Sequence, residues 1–247
     1  MNTVIDGKGV SRSFGSISAV DGIDLQVEAG SVLGLIGPNG AGKTTLFNCI
    51  AGSLSPSKGK NFLFGQDVTA LPEHKRIAMG LGRTYQITNV FHKLTVLENV
   101  LLAVQGTQKQ KWLFHRSVDS FPGSLEKARE QLARIGLDHR RDLPVHQLSY
   151  GEQKQLEFAL ALASDPKVIL LDEPASGLAP SERQRIADLI LHLPGDITVV
   201  LIEHDVEMAL GLADQVAVLH QGRLIMDDKP DSVRLNPEIK EVYFGNI

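Results

Sequence analysis

The chain has 247 residues, room for one large domain or two small ones, and its 43% hydrophobic content is enough for a proper core. A net charge of −4 and an isoelectric point near 6.1 lack the basic excess of a dedicated nucleic-acid binder. The lone cysteine, Cys49, excludes an internal disulfide and fits a reducing compartment. No apolar run approaches the roughly 20 residues a bilayer span needs, and the polar start MNTVIDGKG does not read as a signal peptide, so a soluble, cytoplasmic chain is expected.

In chain order, Val4 to Val27 carries short strand-like pieces, with Ile23, Leu25 and Val27 alternating against Asp24, Gln26 and Glu28 as antiparallel strands do. Phe14 lies between them. It reads equally as an aromatic that stacks on a nucleotide base and as a core phenylalanine. Val32, Leu33, Leu35 and Ile36 then suit a buried strand, and Lys43 to Ile50 a helix.

Between that strand and helix lies Gly37-Pro38-Asn39-Gly40-Ala41-Gly42-Lys43-Thr44-Thr45, a complete phosphate cradle in the context the motif requires. The glycines let successive N–H groups turn inward around an anion, and the helix beginning near Lys43 aims its positive dipole end at the same place. Lys43 reaches the β- and γ-phosphates as a point charge. The Thr44 hydroxyl is placed to ligate Mg²⁺.

After a turn-rich connector from Ser53 to Lys60, Asn61 to Phe64 reads as a strand, and from Leu71 the pattern becomes helical. Past Arg83-Thr84-Tyr85-Gln86, the stretch from Val90 to Gly151 is almost wholly helix and loop, which predicts a helical subdomain inserted in an α/β core. Val96, Leu97, Val100, Leu101 and Val104 share one helical face. Trp112-Leu113-Phe114 is a second apolar cluster, either a satellite core or a partner-facing patch. Ser124 to Ile135 is a further amphipathic helix.

At Leu148-Ser149-Tyr150-Gly151-Glu152 two readings compete for the same atoms. Ser149 followed three residues later by Glu152 is a capping box, and the same exposed helix N-terminus is an anion site without a lysine. Val168 to Leu171 is a continuous apolar run typical of a buried parallel strand. It ends in Asp172-Glu173, where ligands of open α/β sheets bind: Asp172 would hold Mg²⁺ and Glu173 would polarise an attacking water. Pro180 to Leu193 is a helix. Thr198 to Ile202 is another buried strand, ending in Glu203-His204-Asp205, and His204 there is either structural or a γ-phosphate contact. Val216 to Leu219 and Leu224 to Met226 form a hairpin about Gln221-Gly222, and a last helix begins with Pro237 after Asn236.

The cradle, LSYGEQ, VILLDE, Gln86 and His204 occur in the order of the ABC-type ATPase subunits, and the resemblance covers essentially the whole chain. LSYGEQ departs from the usual signature LSGGQ by Tyr150 and Glu152. Within the family, RTYQITNVFHKLTVLENVLLAV, LIEHDVEMALGLAD and NPEIKEVYFG resemble the ATPases of branched-chain amino-acid and related amide importers. Urea-type importers and the lipopolysaccharide-transport ATPase share parts of these strings.

This resemblance implies an α/β fold: a P-loop nucleoside-triphosphatase core with an N-terminal antiparallel β subdomain and an inserted helical subdomain. The expected division is 1–88 and 153–247 for the core with its C-terminal hairpin and helix, and 89–152 for the helical part. It further implies ATP and Mg²⁺, with Lys43, Thr44, Gln86 and Asp172 assembling nucleotide and metal, Glu173 as base, and His204 on the γ-phosphate. Two subunits would face head to tail, so that Ser149, Tyr150, Gly151 and Glu152 close the partner's site. Multi-span membrane permeases and a separate substrate-binding protein would complete an importer, with this chain peripheral on the cytoplasmic face of the inner membrane and bound to no nucleic acid. A chromosome-acting relative would need a long heptad insertion, a translation-type relative a second cradle. A small-molecule kinase would explain the cradle but not LSYGE or the strand-end His.

Overall fold

The computed structural model describes residues 2–84, 90–106 and 122–244. Strands β1 (Thr3–Phe14) and β2 (Ile17–Glu28) form a hairpin, and β4 (Lys58–Leu63) and β5 (Gln66–Asp67) extend it into an antiparallel sheet of order β2-β1-β4-β5. The short pieces expected here are two 12-residue strands. What breaks their sequence pattern is a series of register shifts between β1 and β2, which bend the ribbon without ending it. Gly15 makes the tight turn, at φ 60°.

The second sheet has the order β10-β9-β3-β8-β7-β6. β3 (Val32–Ile36), β6 (Leu81–Arg83), β7 (Val168–Asp172), β8 (Thr198–Ile202) and β9 (Gln215–His220) run parallel, and β10 (Arg223–Asp228) returns antiparallel beside β9. All five residues of β7 and of β8 are buried. Burial on both faces is why they read as unbroken apolar runs. Alternation persists inside them: Val168 and Leu170 point into one core and Ile169 and Leu171 into the other.

The first of these cores lies between the two sheets, with helix α1 (Lys43–Ala51) filling it through Leu46, Phe47 and Ile50. The second joins the opposite face of the parallel sheet to α3 (Val96–Gly106), α4 (Pro122–Arg134), α5 (Tyr150–Leu162) and α6 (Pro180–Leu191). A third gathers Ile36, Val216 and Val218 under α7 (Val206–Leu212), α8 (Pro230–Leu235) and α9 (Pro237–Phe244).

Where helix was expected from Leu71 onward, only α2 (Glu73–Ala78) is helical, and β6 follows it. Three residues carry no readable period. β6 is a strand because Leu81, Gly82 and Arg83 pair with Val168, Ile169 and Leu170. Helices α7 and α8, of seven and six residues, also escape a periodicity reading. Trp112 to Phe114 and Gln86 lie outside the described residues.

Candidate active site

Each piece of the candidate site is set by a strand end. After β3 the chain turns through Gly37 to Gly42, and a Cβ on Gly42, at φ 101°, would lie 2.4 Å from the Ala19 carbonyl oxygen. Only glycine fits that approach. Gly42 is the N-cap of α1 and supplies no side-chain acceptor. The first N–H groups of the helix are therefore left for an anion. They border a groove of about 360 Å³ lined by Ala19, by residues 39–45, and by Glu173 and His204.

Lys43 is buried at 5% exposure, and its Nζ donates to the carbonyl oxygens of Gly37 (2.6 Å) and Pro38 (3.2 Å). Burial pushes its pKa below the usual lysine value, while the carboxylates of Glu173 and Asp172 pull it back up. The cradle thus holds one desolvated cation, Asn39, Gly40, Ala41, Gly42, Thr44 and Thr45 beside it. A polyphosphate is the ligand class that fits such a site.

Asp172, the last residue of β7, is 4% exposed, and its Oδ1 has no hydrogen-bond partner among the described residues. Burial raises its pKa, helped by Glu173 and opposed by Arg83, His204 and Lys43. A buried oxygen left unmatched near a phosphate cradle that Thr44 also lines fits a hard, hydrated cation such as Mg²⁺.

Glu173 has φ 50°, in the left-handed region that non-glycine residues enter at a cost of order 1 kcal/mol. That turn carries its carboxylate off the strand axis, and its Oε1 lies 2.5 Å from His204 Nε2. Its own N–H donates to the Ile202 carbonyl oxygen, so the ends of β7 and β8 are stitched together. His204 is half exposed toward the groove.

Phe14 is not among the residues lining this groove. At the tip of the β1–β2 hairpin it is 47% exposed, with the Arg12 guanidinium 4.9 Å from its ring centre, so the reading of Phe14 as a core residue is overturned.

The signature residues lie elsewhere. Ser149 Oγ accepts from the Glu152 N–H (3.2 Å) and Glu152 Oε2 accepts from the Ser149 N–H (2.8 Å), so the capping box is fully formed. The Glu152 carboxylate is also engaged by the Ser149 side chain, so the box ties its two residues to each other on both sides. Glu152 is also fixed by Arg140, whose Nε donates to Oε1 at 3.0 Å. Gly151 packs against α6, where a Cβ would meet Glu182 Oε1 at 2.3 Å. Tyr150 is half exposed, under the Lys154 ammonium at 5.7 Å.

Three residues that the sequence reading passed over are part of this architecture. Arg83 Nη2 donates to Asn48 Oδ1 (2.6 Å), and its charge bears on Asp172. Arg76, 1% exposed, donates to the carbonyls of Cys49 and Ile50 and so closes the C-terminus of α1. Glu203, 4% exposed, receives the Ala175 N–H. For Glu203 a signal existed, a carboxylate placed at the end of an otherwise apolar run. For the arginines there was none.

An anion cradle beside α1 of a doubly covered, mostly parallel sheet, with two carboxylates and a histidine at neighbouring strand ends, defines a nucleoside triphosphatase of the P-loop class. The chain belongs to the ABC transporter family, whose family model matches residues 20–176. It is 36% identical to the high-affinity branched-chain amino acid transport ATP-binding protein LivG of Escherichia coli K12, over 96% of both chains. To BraF of Pseudomonas aeruginosa, of the same description, it is 35% identical over 98% of both. The lipopolysaccharide export system ATP-binding protein LptB of Acidithiobacillus ferridurans is 34% identical, over 100% of this chain and 98% of that one. Among solved structures, the ADP conformation of an ATP-binding cassette of an ABC transporter superposes with a TM-score of 0.87 at 30% identity, over 100% of both chains. A dimeric bacterial ABC transporter cassette superposes with 0.79 at 26% identity, over 92% of this chain and 98% of that one.

Proposed function

We propose that this chain is the ATP-hydrolysing subunit of a membrane importer for branched-chain amino acids or related amides, working as one half of a head-to-tail pair. The observation that carries the reading is the Glu173–His204 contact of 2.5 Å at the mouth of an uncapped cradle helix. Residues 89–152 form its helical subdomain, set between two halves of the nucleotide-binding core.

In this reading the N–H groups of residues 39–45 and Lys43 bind the β- and γ-phosphates, and Phe14 offers its exposed ring to the base. Thr44, Asp172 and Gln86 hold Mg²⁺, which supplies neutralisation of charge on the phosphate oxygens. Glu173 takes a proton from a water whose oxygen bonds to the γ-phosphorus, while the bond from phosphorus to the bridging oxygen breaks and leaves ADP. The proton ends on the phosphate products. His204 Nε2 holds Glu173 and steadies the γ-phosphate. Ser149 and Gly151, with Tyr150 and Glu152 behind them, close the site from the partner chain. The described groove lacks these four residues, which supports a site completed by a second copy or a close relative. Catalysis then rests on positioning and on donors aimed at developing charge.

Among the described residues no helix is long and apolar enough to cross a membrane. Coupling therefore runs through multi-span permease subunits, with a separate substrate-binding protein delivering cargo and this chain peripheral on the cytoplasmic face of the inner membrane. Identity to the lipopolysaccharide export ATPase falls only slightly below that to the amino-acid transport ATPases, so export of a lipid-linked glycan is the second reading. The test is uptake by vesicles that hold this chain with its co-expressed membrane subunits and binding protein. ATP-driven accumulation of leucine or a short amide supports the first reading. Hydrolysis stimulated by lipopolysaccharide, with no amino-acid uptake, overturns it.

A further inference from the structure

Glu203 is the last residue before His204 and is 4% exposed, at the edge of a small recess that Ala175 and His204 also line. Its Oε1 accepts from the Ala175 N–H at 3.1 Å, and its carboxylate also accepts from the backbone N–H of His204. Ala175 is two residues past Glu173 and is itself buried, at 4% exposure. The Ser176 N–H donates to the Glu173 carbonyl oxygen at 3.1 Å and closes the same turn. One buried carboxylate therefore joins the turn that carries Glu173 to the turn that carries His204.

We infer that Glu203 is a positioning residue, whose carboxylate fixes the loop after β7 against the loop after β8 and so sets the 2.5 Å approach of Glu173 to His204. This rests on the proposed roles of Glu173 and His204. The link is needed because Glu173 sits at φ 50°, a conformation its own side chain does not favour and the surrounding bonds must impose. Strand pairing alone ends at Asp172 and Ile202. Beyond that point the Glu173 N–H bond to Ile202 and the Glu203 carboxylate hold the two turns in register. Burial, with Glu173 and Asp205 nearby, pushes the Glu203 pKa up, and the two N–H donors, which favour its charged form, oppose that rise.

The test compares Glu203→Ala, Glu203→Gln and Glu203→Asp in the subunit assembled with its membrane partners, measuring kcat, KM and ATP affinity. Ala removes the acceptor, Asp withdraws it by one methylene, and Gln keeps an oxygen in place. A misplacement of about 1 Å at the reacting groups costs on the order of a hundredfold, so kcat should fall by that order in the Ala and Asp variants, with KM and ATP affinity unchanged. The Gln variant should recover most of the loss. Parental kcat in both the Ala and Asp variants, or a Gln variant no better than Ala, overturns the inference. Glu173→Gln measured alone reports on the underlying reading, since parental hydrolysis there removes Glu173 as base whatever the Glu203 variants do.

Discussion

Ala179 is the N-cap of α6, extended at φ −66° and ψ 156°, exposed, and followed by Pro180 at the first helical position. It has no side-chain acceptor for the Ser181 N–H, while the Glu182 N–H donates to the Ala179 carbonyl oxygen at 3.0 Å. Half of a capping box is nevertheless built, because Glu182 Oε2 accepts from the Ala179 N–H at 3.1 Å. Ala179→Asp supplies the missing half without moving the backbone. Replacing an alanine cap by an aspartate is worth about 1 kcal/mol. The added attraction to the helix dipole, about 0.3–1 kcal/mol, is offset by the Glu182 carboxylate already at that end, so about 1 kcal/mol is the net expectation. In a domain of this size that raises the melting temperature by about 2–4 °C. With ATP the sign reverses, since the loop before α6 faces its counterpart near two γ-phosphates in the proposed pair and a new carboxylate is repelled there. Melting curves without nucleotide, and sedimentation with ATP in a Glu173→Gln background, read the two effects separately. A variant no more stable than its parent, or one that pairs as tightly with ATP, refutes the reasoning.

Lys43→Ala should leave the fold intact, because it removes a desolvated cation, but it should abolish most nucleotide affinity. The parent gains about 2.7 kcal/mol at a hundredfold excess of ATP over its dissociation constant, or about 5–10 °C of melting shift. Survival of that shift in the variant would assign the phosphates to another residue. Asp172→Asn should melt higher than the parent at neutral pH while losing Mg²⁺-dependent hydrolysis. The pKa of Asp172 is raised in the fold, so the unfolded chain releases that proton first and stability is lost as pH climbs from the unfolded value through the raised one. The asparagine variant should lack that part of the decline, and superimposable pH profiles of melting would contradict it.

The sequence made the cradle, both carboxylates, His204 and the capping box legible because each is a local pattern: a glycine spacing, a strand end, a serine three residues before a glutamate. Buried strands were legible for the same reason, as β7 and β8 are apolar at every position but the last of β7, Asp172, and the first of β8, Thr198. What escaped depends on pairing between distant segments. β6 is a strand only because β7 lies beside it, and the bulged β1–β2 ribbon looks broken until its register is known. Arg76 carries no signal in the sequence, yet it is buried against the carbonyls at the end of α1 because the loop after β5 folds over it. At Ser149 the coordinates show the capping box fully formed, while the anion contact belongs to the proposed pair.

The central claim, a hydrolytic site driven by Glu173 and completed by a second chain, is tested most directly by Glu173→Gln with ATP and Mg²⁺. The amide keeps the shape of the side chain but takes up no proton. The account predicts that the variant binds ATP as the parent does, hydrolyses none of it in a single-turnover assay, and sediments as a stable pair whose Ser149→Ala form falls apart. Parental hydrolysis by the variant, or an ATP complex that stays monomeric, would contradict it.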